Sequence, residues 1–120
     1  MSASREFPRG LTLTSNPGGN AQASVTFPAS PDITWVLDNL VWAAYVNDET
    51  VAAECVIQAV SAGLTYYFQW VAIEVDSAQQ NPTGTWSGKF QGGVGASMVV
   101  EFSGGMSAVS EMLLATAYPV

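Results

Sequence analysis

The run from Ile33 to Val46, ITWVLDNLVWAAYV, limits the fold of this chain more than any other stretch. It can be laid on a 3.6-residue period. Yet it is rich in β-branched and aromatic residues, has no salt-paired polar face, and runs straight into the turn-like Asn47-Asp48-Glu49, so a strand is predicted. Alternation puts Ile33, Trp35, Leu37, Val41, Ala43 and Tyr45 on one face and Val36, Leu40, Trp42, Ala44 and Val46 on the other. A strand apolar on both faces cannot lie at a solvent edge. One face must meet the chain's own core, and the other needs a second sheet or another subunit. That second face points towards assembly and away from chemistry.

The rest of the chain reads as further strands separated by turn signals. Residues 1–19 are expected to form an extended N-terminal arm, in which LTLT alternates briefly and SNPGGN marks a turn. Strands are predicted over 21–27, 51–60, 64–75, 86–90, 96–102 and 108–118, although SEMLLATA also fits a short helix. Asn47 to Thr50 reads as a hairpin-type turn, Ser61-Ala62-Gly63 as a short turn, and 76–85 as a long polar loop. The stretch 64–75 carries Tyr66, Phe68 and Trp70 on one face and Tyr67, Val71, Ile73 and Val75 on the other. About eight strands joined mostly by short turns suit an all-β, antiparallel two-sheet sandwich of jelly-roll type, here over residues 20–120.

Charge narrows the partners. Only 11% of the 120 residues are charged, against the roughly 25% usual in globular domains, while 48% are hydrophobic. A neutral polar skin of this kind suits a protein packed against copies of itself or a partner. Ten acids against three bases give a formal net charge of −7. Nucleic acid and anionic membrane surfaces are therefore poor partners. No apolar run is long enough for a membrane-crossing helix, and the first ten residues lack the apolar core of a signal peptide. Two of the three bases, Arg5 and Arg9, sit in the first nine residues. Together with Glu6, Phe7 and Pro8 they form a compact docking segment, with two carboxylate-seeking guanidinium groups, an apolar anchor and a stiff extended backbone.

Motifs that would carry a reaction are missing from the sequence. There is no histidine, so His-dependent triads and the commonest metal ligand are excluded. The acids are scattered with no calcium-loop spacing, and Asn47-Asp48-Glu49 reads as a turn rather than a metal site. Gln91 to Ala96, QGGVGA, has glycines but no P-loop lysine, and precedes a strand. Cys55, the only cysteine, falls at an apolar strand position and reads as a buried structural thiol. The expectation is a non-enzymatic protein without metal or cofactor. Most aromatics fall within apolar strands. Trp86, beside a polar loop and Lys89, is the one nominated for ligand contact.

The C-terminal stretch GASMVVEFSGGMSAVSEMLLATAYPV resembles the closing hairpin of small jelly-roll virion proteins of tailed bacteriophages. The shared pattern falls on Gly95, Met98, Val100, Phe102, Gly104, Gly105 and Tyr118, with Val120 last. VLDNLVWAAY is similar to the first long strand of such proteins, and the resemblance spans residues 33–118. It implies a structural virion protein, often trimeric, on the capsid surface or in the tail. The expected function is capsid decoration, in which a homotrimer clamps neighbouring major capsid proteins and the arm from Arg5 to Arg9 lies on the partner. The alternative is a tail or fibre-tip module, or another jelly roll, that binds a host glycan.

Overall fold

The computed structural model describes residues 10–46, 52–73 and 81–120. Eight strands follow one another: β1 (Leu11–Gly19), β2 (Ser24–Phe27), β3 (Trp35–Val46), β4 (Ala53–Ser61), β5 (Leu64–Ile73), β6 (Thr83–Gln91), β7 (Met98–Phe102) and β8 (Val109–Pro119). They form two four-stranded sheets, ordered β1-β8-β3-β6 and β2-β7-β4-β5. First pairs with last throughout: β1 with β8, β2 with β7, β3 with β6 and β4 with β5, all antiparallel. A long hairpin wrapped into two sheets in this way is a jelly roll, as the sequence led us to expect. β8 alternates buried and half-buried residues along its length, so SEMLLATA is strand and not helix.

The anchor strand β3 lies between β8 and β6, away from either edge. Its faces differ from strict alternation between Leu37 and Asn39: Asp38 is an extra residue against β8, while Gly88 and Lys89 of β6 stand opposite it on the other side. This bulge turns the strand over by one position. Trp35 and Leu37 before it and Leu40, Trp42 and Ala44 after it therefore all point inward and are buried. The core gains both sets, and only the shorter series Val41, Ala43 and Tyr45 is left on the outside beyond the bulge.

Inside, Trp42 meets Phe102 of the facing sheet edge-on, with centroids 6.4 Å apart and planes at 88°. Trp35 packs on Phe27 at 5.3 Å, and its indole N–H donates to the Pro28 carbonyl at 2.8 Å. Opposite Trp42 stands Gly84. A Cβ there would come within 2.3 Å of the indole ring, so only glycine lets β6 pass over it.

Three expectations need correction. The arm is shorter than 1–19, because Leu11 to Gly19 is strand β1 on β8. The SNPGG signal sits within that strand. Its proline is tolerated because β1 is an edge, and the register shift between Ser15 and Gly18 absorbs it. The stretch around Asn47 to Thr50 does not close a hairpin, since β3 and β4 belong to different sheets; its own residues lie outside those described. β7 and β8 likewise lie in opposite sheets, so SGGMSA is a crossover and no closing hairpin exists. The β4–β5 turn is a true hairpin. Ser61 pairs with Leu64 across Ala62 and Gly63, both at positive φ, which matches the right-handed strand twist.

Among the described residues one ionisable side chain is fully enclosed. Glu111 points inward from β8 and is fully buried. It accepts the Ala23 N–H at 2.8 Å and the Met106 N–H at 3.1 Å, and so ties the start of β2 and the β7–β8 crossover to β8. Each such bond to a charged group is worth roughly 1.5–3 kcal/mol. Together they offset part of the cost of burying a carboxylate, several kcal/mol. Burial nevertheless prevails and holds the Glu111 carboxyl above the usual carboxylate range, with the two N–H donors opposing it.

Candidate functional site

Glycine and serine chemistry fixes the first candidate, Gln91 to Ala96. The Gly92 N–H donates to the Trp35 carbonyl at 2.8 Å and the Gly95 N–H to that of Ile33 at 2.9 Å. The buried Ser61 hydroxyl accepts the Gly93 N–H at 2.9 Å and donates to the Ser97 carbonyl at 2.8 Å. These amides close the end of the sandwich and are not turned towards a ligand.

Cys55 is buried in the core, as expected. Burial, and to a lesser degree the nearby Glu111 carboxylate, pushes its thiol up to about 12. Near neutral pH it is a protonated packing group. Among the described residues, no three His, Cys, Asp or Glu side chains gather where a metal could sit.

The arm residues Arg5, Glu6, Phe7, Pro8 and Arg9 lie outside the described residues. Trp86 lies in a strand, as predicted, but not at its start beside the loop. It sits inside β6, half-buried, where the edges of the two sheets come together. Its ring lies 4.8 Å from Phe68 and 6.0 Å from Tyr66 of β5, and Tyr66 in turn lies 5.3 Å from Phe90. These four rings seal the β5–β6 side of the sandwich. Trp86 therefore serves the fold with much of its ring.

Two outward surfaces remain. On the β1-β8-β3-β6 sheet the pairings define rows across the outer face: Thr12–Thr116–Asn39–Ser87, then Thr14–Leu114–Val41–Thr85, then Met112–Ala43–Thr83, then Ser110–Tyr45. None of these residues carries a charge. Val41 and Tyr45 are 40% and 44% exposed. An open depression of about 170 Å³ lies among Val41, Trp42, Ala43, Met112, Leu113 and Leu114. Threonines rim it on both edge strands, and the Thr12 and Thr116 hydroxyls are bonded to each other at 2.9 Å.

The outer face of the other sheet has a different character. A second bulge places Phe68 as an extra residue in β5, where the register with β4 shifts between Ile57 and Gln58. Tyr67 then pairs with Gln58, and Trp70 with Val56. Both aromatics stand on the outer face, 66% and 62% exposed. Sequence alternation had put them on opposite faces. The row through Tyr67 continues to Gln58, Glu101 and Ser24. Glu101 Oε2 accepts from Gln22 Nε2 at 3.2 Å and from Gln58 Nε2 at 3.4 Å.

No protein-family model matches this sequence, and no curated protein matches it. Among solved structures, one described as a Family 16 Carbohydrate Binding Module-2 aligns with 14% identity over 92% of this chain and 75% of its own. Its TM-score of 0.28 is too low for a site to be carried over.

Proposed function

We propose that this chain is a non-enzymatic structural protein of a bacteriophage virion, which assembles with its own copies and clamps neighbouring major capsid subunits. The observation that carries this reading is the set of four uncharged rows on the outer face of the β1-β8-β3-β6 sheet, with Asp38 and Lys89 lying beyond them, next to the Asn39–Ser87 row. A chain of net charge −7 repels its copies almost everywhere. Across these four rows two copies meet without bringing acid to acid, and the apolar centre gains from losing water. The face measures roughly 20 Å by 20 Å from strand spacing and rise. At roughly 400 Å² per copy, threonine rim included, this is a small contact of modest affinity, so the hold on the shell must come from several contacts together.

Three copies turned with this face towards a common axis form the trimer that the C-terminal resemblance implies. Bound only to an assembled shell, such a trimer stabilises it by mass action, and each added contact strengthens the hold on several subunits. The arm with Arg5, Phe7 and Arg9 is assigned to the capsid partner, where an acidic protein most needs cationic donors. Cryo-electron microscopy of particles carrying this chain tests the reading. The expected map has copies grouped about three-fold axes on the outer shell, with Val41, Ala43 and Leu114 between them. Particles that lack the chain, or carry isolated copies, would contradict it.

A further inference from the structure

The outer face of the β2-β7-β4-β5 sheet carries exposed aromatics that the assembly face does not use. Among the described residues Trp70 and Tyr67 are the two large aromatics that the fold leaves most open, and they sit on a strand and not in a loop. Packing does not require them there, since Tyr66, Phe68, Trp86 and Phe90 already seal the sandwich beside them. The Phe68 bulge is what brings both onto one face. Through it, three residues of β5 span the two positions between Gln58 and Val56 of β4. The two rings are thus offset by roughly 7 Å along the sheet. Beside them a carboxylate is held ready, because Glu101 is fixed by the Gln58 and Gln22 amides, and Gln22 Nε2 is itself anchored on the Phe102 carbonyl at 2.6 Å.

We propose that this face binds a neutral carbohydrate, with pyranose rings stacked on Trp70 and Tyr67 and hydroxyls bonded to Gln58 and Glu101. Two kinds of ring ligand stack on exposed indole and phenol. A nucleobase brings phosphates, which a chain of net charge −7 with Glu54 and Glu101 on this same face repels. A neutral sugar brings an apolar C–H face and a fringe of hydroxyl donors, the complement of aromatic rings beside a fixed carboxylate. A second copy of the chain is disfavoured here, because mirrored packing would set Glu101 and Glu54 against their own kind. The site is independent of the assembly face, which lies on the other sheet.

Affinity electrophoresis in native gels containing a soluble β-glucan, a mannan or dextran tests this directly, with tryptophan fluorescence followed in parallel. At least one of the three is expected to retard the protein and shift its emission to shorter wavelength. Trp70→Ala should weaken that retardation by at least about tenfold, as loss of a stacking ring does elsewhere, and Trp70→Phe should keep part of it. Glu101→Gln should weaken it with no change in melting temperature. Since the Trp70 ring is mostly in solvent, the alanine variant should melt with the parent. Retardation by none of the three polysaccharides would overturn the proposal, and so would retardation that survives Trp70→Ala. Retardation by single-stranded DNA instead would make the occupant a nucleobase. A change of sedimentation in Trp70→Ala would make it a second copy. Each of these last two results also overturns the proposal.

Discussion

At the scale of single residues, the fold turns on groups whose role no charge or hydropathy count shows. Glu111 alternates with Val109 and Leu113 on the inner side of β8, so its place in the strand already pointed inward. What the sequence did not show was the pair of N–H donors, which come from segments 88 and 5 residues away. Because its folded pKa is raised, the stability it contributes is fully present below its ordinary value of about 4.5 and is lost as pH rises through the folded value. Relative to Glu111→Gln, the parent's melting temperature should therefore rise as pH falls from about 7 towards 4.5. A flat or opposite trend in thermal melts would contradict this. Near pH 7 the glutamine variant should still be less stable, by roughly 1–3 kcal/mol, because its amide sets an N–H donor against another N–H. Two further substitutions separate packing from chemistry. Cys55→Ala should cost about 1 kcal/mol and leave assembly intact, with the native thiol labelled only slowly by a thiol reagent. Gly84→Ala should cost about 1–3 kcal/mol in chemical denaturation, since its methyl would drive into the Trp42 ring.

At the scale of elements, the strands were legible because alternation of apolar and polar residues has a period of two. Seven of them lie within a few residues of where alternation put them. The bulges were not legible. Asp38 in VLDNLV and Phe68 in TYYFQW look like ordinary members of an alternating run, yet each reverses the facing of all that follows. The doubly apolar β3 was therefore partly an artefact of counting through a bulge, and the exposed pair Tyr67 and Trp70 was hidden for the same reason. Trp86 was expected at the start of a strand beside the loop, whereas β6 begins at Thr83 and carries its ring into the seam. Strand β1 was missed because Pro and Gly outweigh LTLT in a local reading; its pairing with β8 depends on residues about a hundred positions away. Leu11 and Leu13 pack against the core from that edge. Deleting residues 2–19 should thus destroy cooperative unfolding by circular dichroism. A variant that kept the parent's melting temperature would show β1 to be dispensable.

At the scale of the whole molecule, the jelly roll divides its outer surface into two chemistries. One sheet presents four rows of threonine and other uncharged side chains, and the other presents aromatics beside a fixed carboxylate. Low charge and high apolar content already pointed to a protein that lives in contact with others, but only the pairing of β3 with β8 and β6 shows which rows are uncharged. If that face joins the copies, a single cation at its centre should separate them, because an ammonium group buried between apolar rows has no partner there. Sedimentation equilibrium of the purified chain beside its Val41→Lys variant, at about 10 μM where contacts of modest affinity are occupied, measures this. The expected result is a trimer for the parent and a folded monomer for Val41→Lys. A parent that sediments as a monomer, or a Val41→Lys variant that remains a trimer, would contradict assembly through this face.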